Sequence, residues 1–390
     1  MRCKRFGLTI VDWCVVLVCC FILLSLLAPR VGSRPVANRN MCSTNLKNLS
    51  LAAVQYDNTN GGMPGYVMNY GTWIAGENPR DPTDPSADTG SLMTHHKIGT
   101  WAVALLPWLD AQPTYEHWTH DRYPIVFGGS PSMPLSSDEA GDGFTTLAAP
   151  NLSILQCPDA RTLSATHGRN SYIGNTGMFH RGPSGESNTR VMRAGNSANV
   201  DFARSMALAN GVFNNKLPGR GRDGRSVAVG PNLSIDDFHD GQGFTLLFSE
   251  NLQALPWHRA GFIDAVDLVT LDPLDVPLYE ETSRYTQGMV WHYEDDKLPG
   301  APSVDPVHRI NGIRKGDDLF TLKMTRANAA DLARPSSGHG AGVNAAFADG
   351  ATRFISETID YRVYQAMLTP DGTKSDVPNA SFVITNELHE

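Results

Sequence analysis

The sequence predicts an α+β protein: a long amino-terminal helix that begins in a membrane, followed by a loop-rich head built on an antiparallel sheet. Three observations carry that prediction. A run from Leu8 to Ala28 is apolar but for Thr9, Asp12 and Ser25, and a second stretch with helical spacing follows it. The body holds short β-prone runs bounded by Gly, Asn or Pro, and 36 glycines and 25 prolines in 390 residues punctuate regular structure. Near the carboxy terminus an alternating apolar run meets an Asp-Gly pair, the signal of a hairpin.

The first element is the apolar run. About 20 helical residues at ~1.5 Å each match a hydrocarbon core of ~30 Å. Arg2, Lys4 and Arg5 precede it, so the positive-inside rule keeps them cytoplasmic and places everything after Ala28 outside. A cleaved secretory signal with its site near Val31-Gly32-Ser33 is the alternative, but the run exceeds the usual apolar region of such signals. Asp12 lies one turn into the helix. A carboxylate costs ~2.5–3.5 kcal/mol at a bilayer centre, less at the interface, and such groups are commonly paired. An interfacial Asp snorkelling to headgroups is the plain alternative.

From Asn40 to Asp57, Leu46, Leu49, Ala53 and Tyr56 recur at helical spacings, predicting an amphipathic helix interrupted upstream around Pro29 to Pro35. Asn60-Gly61-Gly62 ends it, and Asn78 to Gly90 is a Pro/Asp-rich loop. Trp101 to Trp108 reads as a short buried helix or strand closed by Pro107. Strands are expected around Cys157, Tyr172, Asn210 and Gly243 to Asn251. Val343, Ala345 and Phe347 alternate before Asp349-Gly350, predicting a two-residue hairpin with positive φ at both turn positions. The chain then divides into a leader (1–7), a membrane helix (8–28), an exported helix extension (29–60) and a head (61–390).

Composition excludes several classes. Lys+Arg 32 against Asp+Glu 40 gives a net charge of −8, without the positive field a nucleic-acid partner requires. A 41% hydrophobic content excludes a disordered chain. Cys3 is cytoplasmic and Cys14, Cys19 and Cys20 lie in the apolar run, which leaves Cys42 and Cys157 in the exported body. An oxidising compartment favours a disulfide between them; two buried free thiols are the alternative. His95-His96 point apart, and His117 and His120 share a helix face with Glu116. Without a metalloprotease motif these read as surface histidines. The acidic run Asp236 to Gly241 lacks calcium-loop spacing and reads as a turn. Gly219 to Gly224 fits G-x-G-x-x-G in letters, but a β-prone run follows instead of a helix, so it reads as a solvated basic loop. Four Asn-x-Ser sequons start at Asn48, Asn151, Asn232 and Asn379 and carry little weight. No nucleophile motif occurs, so no catalytic residue, metal or cofactor is expected. His339, in a glycine-rich entry, is expected to hydrogen-bond across to a neighbouring strand, and Asp349 to accept backbone N–H bonds at its turn.

Gly7 followed by Leu8-Thr9-Ile10-Val11-Asp12 and a long apolar helix resembles the processing site of type IV prepilins and type II secretion pseudopilins. Their pattern is Gly, then Phe-Thr-Leu-Val-Glu. Leu8 stands for the Phe, and Asp12 for the Glu with one methylene less. The resemblance implies cleavage after Gly7 by a prepilin peptidase, methylation of Leu8, and contact of Asp12 with the α-amino group of a neighbouring subunit. It also implies a pilin-like fold, whose helix packs its second half on a sheet. Across the rest of the chain, Cys42 with Asn45-Leu46-Lys47, Leu155 to Pro158, Asp240-Gly241 with Leu246 to Glu250, and His339 nine residues before Asp349-Gly350 resemble a large bacterial family. That family is of unknown function, is described as prepilin-type processing-associated, and also carries a solute-binding label.

Together these resemblances imply a membrane-anchored, pseudopilin-like structural or assembly protein of the bacterial envelope. It would be single-pass in the inner membrane, with its body periplasmic or extracellular. Membrane lipid, like subunits or envelope assembly machinery, and prepilin peptidase would be its partners. A tethered binding module for a solute, peptide or glycan is the second expectation.

Overall fold

Thr9 starts the first helix, α1 (Ile10–Leu27), as its N-cap. Its hydroxyl accepts the Asp12 N–H, and Asp12 reaches back to the Thr9 N–H, a reciprocal capping box. This computed structural model describes residues 9–27, 33–76, 93–126, 143–160, 167–180, 189–193, 196–200 and 202–382. The expected leader with Gly7, the expected new terminus at Leu8, residues 31 and 32 of the candidate signal site at 31–33 and the Pro/Asp-rich loop at 78–90 lie outside them. Among the described residues no helix is long and apolar enough to cross a membrane. The apolar run of the sequence extends beyond the described helix at both ends, to Leu8 and Ala28.

The second helix, α2 (Ser33–Asn60), is longer than its spacing predicted. Pro35 lies in its first turn, where the N–H groups have no intrahelical partner, and so does not interrupt it. The expected face is the buried one: Leu46, Leu49 and Ala53 are inaccessible to solvent, and Cys42, one turn upstream, joins them. Full burial of a leucine contributes roughly 1.5–3 kcal/mol, so this face holds α2 firmly in the head. Tyr56, half-buried, meets Trp108 edge-on.

Strands β1 (Met68–Trp73) and β2 (His95–Gly99) form an antiparallel pair. The WAVALLPW run is helical: α3 (Trp101–Leu105), capped by the Thr100 hydroxyl, continues through a 3₁₀ turn past Pro107 to Leu109. Next come α4 (Gln112–Thr119) and β3 (Tyr172–Met178). Two ribbons follow, β4 (Thr189–Arg193) with β5 (Asn196–Val200), and β6 (Gly219–Arg220) with β7 (Ser226–Val227). Around them lie the single turns α5 (Phe202–Ser205), α6 (Ala265–Leu268), α7 (Ser283–Thr286) and α8 (Ala329–Leu332). The main sheet adds β8 (Leu246–Glu250), β9 (Gly288–Trp291), β10 (Gly342–Phe347) and β11 (Thr352–Ser356), and α9 (Tyr361–Leu368) closes the described fold.

The main sheet runs β11-β10-β8-β3-β9. It is mixed, which corrects the all-antiparallel expectation: β9 joins β3 in parallel after a long crossover. Both faces are covered. On one, α2 and Trp101 pack against Phe248 and Ala346; on the other, α9 packs against Val343, Ala345 and Phe347. Two expected strands are absent. The run before Cys157 forms a 3₁₀ turn (Ser153–Leu155), and residues 210–213 are irregular. Each was too short to be assigned without knowing its pairing partner.

The hairpin forms, with a different turn. Phe347 N–H donates to the Ala351 carbonyl and Gly350 N–H to the Phe347 carbonyl, leaving a three-residue loop. Only Gly350 has positive φ, at 79°, the arrangement of a turn followed by a left-handed bulge residue. Asp349 stays at negative φ and accepts the Ala351 N–H at 2.8 Å.

Candidate functional site

Residues that lie far apart in the sequence meet beneath α2. Cys42, on the buried face of that helix, forms a disulfide with Cys157 across a sequence separation of 115, with Cα atoms 5.1 Å apart. Asn45 shares the face and donates to the Gln156 carbonyl at 3.1 Å and to the Tyr172 hydroxyl at 3.2 Å. Glu250, the last residue of β8, is 2% exposed. Its carboxylate accepts the Asn344 N–H at 2.8 Å and the Asn344 side-chain amide at 3.1 Å, both from the neighbouring strand β10. Burial, together with the Glu250 charge, keeps the Tyr172 phenol protonated by pushing its pKa up.

His339 completes the cluster. It precedes β10, where the Ser337 hydroxyl accepts its N–H at 3.2 Å. Its buried imidazole lies between two carboxylates, with Nε2 2.9 Å from Glu250 and Nδ1 3.0 Å from Asp159. Burial opposes the charged ring, but the Glu250 hydrogen bond and both carboxylate charges outweigh it, and the pKa rises above the ordinary value. Nε2 is also 3.4 Å from the Cys157 sulfur. Cys42, Cys157, Glu250 and His339 each offer one ligand atom, and these atoms lie within 4.8 Å of one another.

The other singled-out residues scatter. Asp12 is accounted for locally by its capping box, in which the Thr9 hydroxyl also donates to it at 2.7 Å. Asp349 and Gly350 lie at the opposite end of β10 from His339, so the motif residues do not meet. His95 and His96 are buried on β2, which corrects their reading as surface groups. His95 is held by the Met93 carbonyl and the Ile125 N–H, and burial lowers its pKa to about 4. His117 is half-buried and His120 exposed at the end of α4. The G-x-G-x-x-G loop is the turn of the β6–β7 ribbon.

That turn also borders a feature the sequence did not reveal, a cavity of about 660 Å³. Arg222, Arg314, Arg326, Tyr279, Tyr285 and Asp331 line it. Arg326 pairs with Glu280 at 2.8 Å and Arg314 with Asp331 at 2.8 Å, so its polarity is set by ion pairs. Behind Asp331, His308 lies between Glu294 at 2.9 Å and Asp331 at 3.4 Å. Burial disfavours its charge, but the two carboxylates prevail and raise its pKa to about 9. His292 stacks on His308 with centroids 3.5 Å apart and planes 3° from parallel. His292, Glu294 and His308 also bring ligand atoms together. Rings stacked in parallel planes cannot aim their in-plane lone pairs at one ion, so that group does not fit a metal as arranged.

Sequence reading missed Glu250 and Asp159 as partners of His339, and it missed the whole His292–Glu294–His308–Asp331 group. Glu250 left two signals: it is a lone carboxylate just beyond the apolar run Leu246-Leu247-Phe248, and it ends the element from Asp240-Gly241 that carries part of the family resemblance. The profile of a family described as "Protein of unknown function (DUF1559)" matches residues 33–362. No curated protein and no solved structure matches the chain.

Proposed function

The chain belongs to that family of proteins of unknown function, and from this premise we propose that it is a membrane-anchored, exported, pseudopilin-like structural or assembly subunit of the bacterial envelope. The observation that carries the reading is the surface of α1. Ile10 is 84% exposed, Trp13 58% and Phe21 72%, so apolar side chains face outward around the helix. Such a helix is not amphipathic, and it needs cover on every side, from lipid or from a bundle of like helices. The next helix, α2, is built into the head by its buried face and by the disulfide, as a helix transmitting assembly contacts to a folded head must be. In this reading prepilin peptidase cleaves after Gly7. Asp12 then exchanges its local Thr9 contacts for the freed amino group of a neighbour, a pairing that neutralises two charges in a low-dielectric setting.

The mass of the mature amino-terminal peptide tests it. The peptide should begin at a methylated Leu8, and Gly7→Trp should block processing. Asp12→Ala should reduce cross-linked oligomers in membranes at least several-fold while the heads stay folded. Recovery of the intact leader on membrane-embedded protein, or oligomers indifferent to Asp12→Ala, would overturn it. The 660 Å³ cavity favours a second reading, a tethered binding module. A monomeric chain whose melting temperature rises with a glycan, peptide or solute, and no longer does so in Arg326→Ala, would establish that reading instead.

A further inference from the structure

The groups around the Cys42–Cys157 bond are arranged as more than a covalent clamp. Two sulfurs, an imidazole and a carboxylate are the donor types that hold zinc-class cations in a four-coordinate shell. Here they come from α2, the segment after the 3₁₀ turn, β8 and the entry to β10, and one ligand atom of each lies within 4.8 Å of the others. The shell behind them also fits. A metal-bound histidine typically donates its other N–H to a carboxylate, and His339 Nδ1 is 3.0 Å from Asp159. Ligating carboxylates are themselves hydrogen-bonded, and Glu250 is fixed by both the backbone and the side chain of Asn344. The cluster is screened from water, with Cys42 fully buried and Cys157 6% exposed.

We infer that Cys42, Cys157, His339 and Glu250 form a redox-gated site for a divalent zinc-class cation, closed while the sulfurs are bonded to each other and opened by reduction. The conversion balances. A dithiol reductant gives two electrons and two protons to the S–S bond, yielding two protein thiols, and itself closes to a disulfide. The cation then binds both sulfurs as thiolates, His339 through Nε2 and Glu250 through Oε1. The two thiol protons, and any proton on His339 Nε2, leave to solvent, while Nδ1–H remains on Asp159. This inference stands independently of whether the chain assembles.

The test uses the full chain in detergent, reduced with dithiothreitol, freed of it under argon and titrated with Co²⁺. Reduced protein should bind one equivalent, with the visible absorption of tetrahedral Co²⁺ and a near-ultraviolet thiolate-to-metal charge-transfer band; oxidised protein should show neither. Cys157→Ser should lose about half of the charge-transfer intensity, one of two thiolates, and Asp159→Asn should weaken binding by about ten- to a hundredfold, the range for such outer-shell groups. Should reduction unfold the head, added Zn²⁺ should restore its near-ultraviolet circular dichroism, since binding and folding would then be coupled. Absence of uptake by reduced folded protein, failure of Zn²⁺ to refold a reduced unfolded one, equal uptake by oxidised protein, or a charge-transfer band unchanged in Cys157→Ser would each overturn the inference.

Discussion

Gly350 shows how far one residue's conformation was predictable. Asp-Gly marks a turn because glycine accepts positive φ at no steric cost, and the turn is where it was expected. Its type was not legible. Loop length depends on where the ladder ends, and here Phe347 still pairs with Ala351 while Ala348 N–H is held by the Thr245 carbonyl. Gly350→Val should destabilise the head by about 1–3 kcal/mol, the typical range for forcing a side chain into such a backbone conformation. A new Cβ would also lie 3.1 Å from Leu51 on α2, so the midpoint of a denaturant titration should fall rather than merely broaden. An unchanged midpoint would remove the positive-φ argument. His339 was legible as a group that bonds across to a strand. Its acceptor was not, because Glu250 is 89 residues away and only the pairing of β8 with β10 brings them together.

At the scale of elements, legibility followed length and periodicity. The face of α2 was read correctly over several turns because Leu46, Leu49 and Ala53 repeat at helical spacing. The strands expected near Cys157 and Asn210 failed, since short apolar runs take their conformation from tertiary partners. The disulfide joins the element read best to a segment read wrongly. Closing a loop of 115 residues contributes roughly 4–5 kcal/mol in the chain-entropy account. Cys42→Ala should therefore lower the unfolding midpoint strongly, and amide exchange should quicken first along residues 36–46 of α2. Equal protection in oxidised wild type and Cys42→Ala would show that the apolar face alone holds the helix.

For the whole molecule, buried histidines shape the response to pH from both sides. An unfolded histidine titrates near ~6.5. His308, raised to about 9 by Glu294 and Asp331 against the effect of burial, adds stability that is complete below about pH 6.5 and lost as pH rises through about 9. His95, lowered to about 4 by burial, acts in the opposite sense: the fold loses stability as pH falls from about 6.5 towards 4 and the unfolded chain takes up the proton. Lys97, lowered to about 7 by burial, acts against His308 over the alkaline range, so the difference isolates the histidine: the melting-temperature gap between wild type and His308→Gln should be full below about pH 6.5 and shrink as pH rises through about 9. A gap that does not change with pH would remove His308 from the account. The sheet also places a demand on the order of events during synthesis. Ser50 on α2 donates to the Phe347 carbonyl, 297 residues later, and Ser43 donates to Thr352 across 309. The leucine face of α2 is made long before the part of its cover that β10 and β11 supply. The chain therefore has a high contact order, and its head folds slowly and only after nearly all of it has emerged. During that interval the side of α2 that β10 and β11 will cover is an exposed apolar surface, the kind of transient surface through which incompletely folded chains associate.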